Sequence, residues 1–88
     1  PSTKEVITRN SEGKFQFHKK ITTDVRDSKE FKRANIGIPK QVKMELDVFC
    51  TETELSFIEY SNLMCAYIVE RGGIPDEYIK RYKKGTQD

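Results

Sequence analysis

From Phe31 the chain alternates strictly. Ala34, Ile36 and Ile38 share one face, Arg33, Asn35 and Gly37 the other, and Pro39 ends the run. A period of two with one apolar face predicts a short, half-buried strand. Pro39 lacks an N–H and so stops a ladder, while its fixed φ suits the first turn of a helix. The next apolar positions, Val42, Leu46, Phe49 and Cys50, follow a helical spacing and predict an amphipathic helix that ends in Thr51-Glu52-Thr53-Glu54. Leu55-Ser56-Phe57-Ile58-Glu59-Tyr60 then carries a complete helix start: Ser56 as N-cap, Glu59 three residues on to close a capping box, and Leu55 and Tyr60 as a hydrophobic staple. The second helix presents Tyr60, Leu63, Met64, Tyr67 and Ile68 on one stripe and ends at Gly72-Gly73. A last short helix fits Pro75 to Lys84, with Ile74, Tyr78, Ile79 and Tyr82 placed to cover the edge of the core.

The first thirty residues are patterned less sharply. A turn cluster, Asn10-Ser11-Glu12-Gly13, separates Val6-Ile7-Thr8 from Lys14-Phe15-Gln16-Phe17-His18, as in a hairpin whose aromatic face, Phe15 and Phe17, needs a cover. Three regions result: a basic arm or hairpin over 1–30, a strand-helix-helix unit over 31–73, and a short helix with a tail over 74–88. The expected class is mainly α, with one short strand per chain.

Composition says why such a chain should not act alone. Only 35% of its 88 residues are hydrophobic and 34% are charged, thin material for closing a core, and a partner subunit would help. The net charge of +2 hides an asymmetry: residues 1–40 hold ten Lys and Arg against five Asp and Glu, whereas residues 41–88 hold six against nine. A basic front half suits a polyanion such as nucleic acid, and it equally suits a solvated tail. No run reaches the roughly 20 apolar residues of a membrane span, and the first residues lack the form of a signal peptide. Pro1 fits removal of an initiator Met, and a cytoplasmic location is the default expectation.

The chemistry-bearing residues are few. Cys50 and Cys65 lie on apolar positions, as small buried hydrophobes rather than as a disulfide, and His18 is the sole histidine, so metal-ligand spacing is absent and no cofactor is expected. Asp24 and Asp27 near His18 do not make a catalytic constellation, and enzymatic activity is not expected. Tyr60, Tyr67, Tyr78 and Tyr82 read as core or interface residues rather than a base-stacking platform.

A lone strand must pair elsewhere, and a second copy is the economical partner. Two antiparallel strands would set Ala34, Ile36 and Ile38 against four amphipathic helices and leave Arg33 and Asn35 outward, on a ribbon narrow enough for the major groove. Here the chain resembles the ribbon-helix-helix family of DNA-binding proteins. The resemblance covers about residues 31–72, through Arg33-Ala34-Asn35-Ile36-Gly37-Ile38-Pro39, the Val42, Leu46 and Phe49 spacing, the Leu55-Ser56 entry and the Tyr60, Leu63, Met64 stripe.

The resemblance implies an intertwined homodimer on double-stranded DNA, extending to higher oligomers there, and acting as a transcriptional regulator, with repression the expected sense. It implies that Arg33, Asn35 and Gly37 face base edges and that Ser56 and Phe57 anchor a phosphate. Asn pairs bidentately with adenine and Arg with guanine, while a helix N-terminus suits phosphate. Lys19, Lys20 and Lys32 would extend the contact as a backbone arm. Two features depart from the pattern: Gly37 offers no side chain to a base, and Glu54 stands where the family often uses glycine. Two other readings belong beside this one. A protein-interaction module, as in antitoxins, would grip a partner protein through the arm or the C-terminus. An AbrB-like dimer is suggested by Ile36-Gly37-Ile38-Pro39-Lys40-Gln41-Val42 but should return to a strand after the helix.

Overall fold

The N-terminal turn cluster closes a hairpin because Asn10 can do the work of a backbone turn. Its Oδ1 accepts the N–H groups of Glu12 and Lys14, both at 2.9 Å, and Gly13 takes a positive φ of 81°. Strands β1 (Ile7–Arg9) and β2 (Phe15–Phe17) pair antiparallel, with Ile7 opposite Phe17 and Arg9 opposite Phe15. The Arg9 guanidinium lies over the Phe15 ring at 4.6 Å. The computed structural model describes residues 5–86, so the expectation for Pro1 lies outside the described residues.

A four-residue helix, α1 (Thr23–Arg26), follows. Two polar bonds fix this N-terminal region: the Val6 N–H donates to Glu30 Oε1 within it, and the Phe15 N–H to Glu70 Oε2 beyond it, each at 2.7 Å. Val6 and Ile21 are buried, so the arm is docked and brings apolar side chains with it.

Helix α2 (Lys40–Thr53) begins after Pro39, which serves as N-cap rather than as first helical residue and accepts the Lys43 N–H on its carbonyl. At the far end Glu54 takes the left-handed conformation, φ 60° and ψ 36°. Its N–H reaches the Thr51 carbonyl at 3.2 Å, and the Leu55 N–H reaches that of Cys50 at 3.0 Å. This is a Schellman ending with a glutamate at the glycine position. Helix α3 (Phe57–Glu70) starts on the expected capping box and ends on the same pair of bonds, with Gly72 in the left-handed place. Cys50 is buried where α2 and α3 meet, and the Phe49 and Tyr60 rings lie 6.2 Å apart. Helix α4 (Asp76–Thr86) opens with Asp76 and Glu77 and closes with Lys83 and Lys84, in line with its dipole.

The architecture is therefore α+β, a two-stranded antiparallel sheet with four helices among the described residues. This corrects the expectation of one strand per chain. Both strands belong to the N-terminal hairpin, and residues 33–38 form none, because a ladder needs a neighbour and the described residues supply none. Three further expectations are corrected. α4 does not close the core: the closely packed element pairs are β1 with β2 and α2 with α3. Cys65 is exposed, unlike Cys50. Leu46, placed on the apolar face of its helix by its spacing, is only half-buried. Among the described residues, no helix is long and apolar enough to cross a membrane.

The buried apolar side chains are Val6, Ile21 and Cys50, a small core for this length. The radius of gyration is 15.5 Å, against about 12 Å for a compact chain of this size. The accessible surface is 7896 Å², whereas a compact monomer of this mass would expose about 5,400 Å².

Candidate nucleic-acid interface

Residues 31–38 run along the first turns of α3 and form with them a groove of about 400 Å³. Phe31, Ala34 and Ile38 contribute to one wall, Phe57, Ile58 and Met64 to the other. The backbone of residues 32–38 makes no hydrogen bond to any other described residue. Ile36, expected on the inner face, is 77% exposed. The segment's alternation is thus matched by no ladder among the described residues.

Of the base-facing candidates, Arg33 and Asn35 are exposed and two residues apart, and a Cβ added at Gly37 would meet nothing within 4 Å. Arg33 is not loose. Its guanidinium pairs with Asp27, just beyond α1. No local pattern announces this pair, because it joins the arm to the strand-like segment. A guanidinium held by one carboxylate oxygen keeps further N–H groups for another acceptor.

The second cluster sits at the start of α3. The Ser56 hydroxyl accepts the Glu59 N–H at 3.2 Å, and the Ser56 N–H donates to Glu59 Oε1 at 2.9 Å. That backbone bond is the main reason the Glu59 carboxyl lies below its ordinary value. Burial pushes it upward, and the Ser56 hydroxyl and the charge of Lys20 lower it further. With the Ser56 amide taken by Glu59, the amides of Phe57 and Ile58 remain as first-turn donors without intrahelical acceptors. Lys43 Nζ lies over the Phe57 ring at 4.6 Å and also pairs with Asp47. Two cations, Lys43 from α2 and Lys20 from the arm, thus stand beside this helix start, and only Lys20 was singled out by the sequence. Lys19 and Lys32 are exposed, and Lys32 lines the groove.

Of the candidate residues, Arg33 and Asn35 line the groove from one side and Phe57 from the start of α3, while Gly37 and Ser56 are chain neighbours of lining residues. No family model, no curated protein and no solved structure matches this chain.

Proposed function

We propose that this chain is a homodimeric, sequence-specific DNA-binding regulator that places a two-stranded ribbon, one strand from each copy of residues 33–38, in the major groove. One observation carries the reading: a segment of alternating character with an unpaired backbone and an exposed Ile36, tied to the arm through Arg33 and Asp27 and bordering a groove against α3. Pairing it with its own copy satisfies the ladder, turns Ile36 toward the helices and leaves Arg33 and Asn35 outward. Asn35 reads adenine, Arg33 exchanges part of its contact with Asp27 for guanine, and the first amides of α3 with Lys43 and Lys20 take a phosphate. Gly37 lets the ribbon approach the base edges closely but reads none. Occupying a promoter in this way blocks its use, hence repression. The AbrB-like alternative is not favoured, since α3 rather than a strand follows α2.

A binding selection on random duplexes tests the proposal. A short enriched motif is expected, repeated with the symmetry of the dimer, with affinity that falls steeply as salt rises. Asn35→Ala should flatten the preference at one position of each half-site, a loss of about 1–3 kcal/mol in discrimination, with an unchanged circular dichroism spectrum. A stable dimer that enriches no site would overturn DNA reading and favour the protein-interaction module.

A further inference from the structure

Helix α4 holds an amphipathic pattern that packs closely on no other element among the described residues. Tyr78 and Tyr82 lie one turn apart, with Ile79 beside them and Ile74 just before the helix, and these four are between 37% and 69% exposed. An 11-residue helix is short of the length at which isolated helices persist in water. Its face needs a cover, and no other described element packs closely on it; the Schellman turn at Gly72 and Gly73, followed by Pro75, separates α4 from α3.

We propose that α4 of one copy packs on α2 of a second copy, over the ridge formed by Met44 and Val48. The inference rests on the homodimer proposed above and names a part of the interface that the ribbon does not reach. Three observations converge. First, the chain exposes about 2,500 Å² more than a compact monomer of its mass, so a pair has about 5,000 Å² to bury, the scale of an obligate dimer. The ribbon covers the segment beside the first turns of α3, and α4 begins beyond the other end of that helix, about 20 Å away. Second, Met44 and Val48 lie one turn apart on α2 and are 68% and 53% exposed, an apolar ridge of matching length. Third, the charges complement. Glu45 and Glu52 lie on one side of Val48, one turn before and one turn after it, and Arg81, whose guanidinium also covers the Tyr78 ring, precedes Tyr82. Tyr82 seated on Val48 brings that one basic edge of α4 to the acidic side of the ridge and gives the phenol a carboxylate to bond.

The test uses two full-length chains of different mass, both carrying Cys65→Ser to remove the exposed thiol. One also carries Val48→Cys, the other Tyr82→Cys. Mixed and mildly oxidised, they should form a disulfide-linked heterodimer. In parallel, Tyr78→Ala with Tyr82→Ala should raise the dimer dissociation constant more than about tenfold, as truncating two aromatic anchors does, with the helical signal of α2 and α3 retained. Sedimentation and the duplex selection separate the failures. In a third chain that carries Val48→Cys and Tyr82→Cys together, a disulfide confined to the monomer would put α4 on its own α2 and overturn the inference. A dimer that still selects DNA but forms no link between chains overturns the α4 contact alone, and a monomer overturns the contact and the dimer together.

Discussion

Ser56→Ala isolates the local device on which the candidate interface is built. The substitution removes the hydroxyl that accepts the Glu59 N–H at 3.2 Å and spares the Ser56 N–H that donates to Glu59 Oε1 at 2.9 Å. Loss of an N-cap side chain costs about 1 kcal/mol. At 3.2 Å this bond is at the long end of its range, so about 0.5–1 kcal/mol is expected. For a domain of this size that lowers Tm by about 2–8 °C. Ser56→Gly should cost only a few tenths of a kcal/mol, because glycine leaves the first amides open to water. Thermal melts followed by circular dichroism at one fixed chain concentration decide the matter, since the Tm of an associating protein moves with concentration. An alanine variant that melts within about 1 °C of the parent, or a glycine variant as costly as alanine, would refute the role of the hydroxyl.

The same box carries a pH signature whose sign follows from Glu59. Its carboxyl is held below the ordinary 4.5, chiefly by the Ser56 N–H, so the folded chain prefers the charged form. The stabilisation is full above the unfolded value, and it fades as pH falls through the lower folded value. Glu59→Gln keeps an oxygen for the Ser56 N–H but does not titrate. The difference in Tm between parent and variant should therefore be constant from neutral pH down to about 5 and shrink below it, whereas a difference that grows as pH falls would reverse the argument.

Further outcomes follow from single contacts. Glu54→Gly relieves a left-handed residue at about 1–2 kcal/mol, offset in part by the freedom glycine regains on unfolding, so a net gain of about 0.5–1 kcal/mol is expected in melts; a loss would mean that the carboxylate does more than fill the turn. Ile36→Asp changes a side chain that is 77% exposed in the single chain, so it should leave the helical signal intact while sedimentation shows a monomer; an unaltered dimer would remove Ile36 from the ribbon. Glu70→Ala deletes the acceptor of the Phe15 N–H and should speed hydrogen exchange at that amide while the capping box of α3 stays protected.

What the sequence made legible is what depends on near neighbours. The α3 start is written in Ser56 and Glu59 three residues apart, its end in Gly72-Gly73, and the hairpin turn in Asn10 and Gly13, because each signal and its partner lie within five residues. The docking of the arm was not legible. Glu30 bonds Val6 across 24 residues and Glu70 bonds Phe15 across 55, and nothing marks these glutamates among the other acids of the chain. Asp27 escaped for the same reason, although it holds one of the two polar side chains expected to face bases. Residues 33–38 are an intermediate case. Their alternation was plain, but being a strand is a property of two segments, and the second lies outside the single chain.

The apolar stripes carry the same lesson into energetics. Val42 and Phe49 on α2, and Tyr67 and Ile68 on α3, sit at the positions that helical spacing assigns to a core, yet they are between 36% and 54% exposed. The periodicity is right and the cover is missing. A chain whose buried apolar residues are Val6, Ile21 and Cys50 has little burial of its own to set against the conformational entropy of its helices. On the dimer reading, the second copy supplies that burial, so the groove beside α3, the ridge on α2 and the face of α4 are parts of one unclosed core. Association then adds to the stability of the folded chain by mass action, and any residue that reads DNA from the ribbon does so on a surface that exists only once the pair has formed.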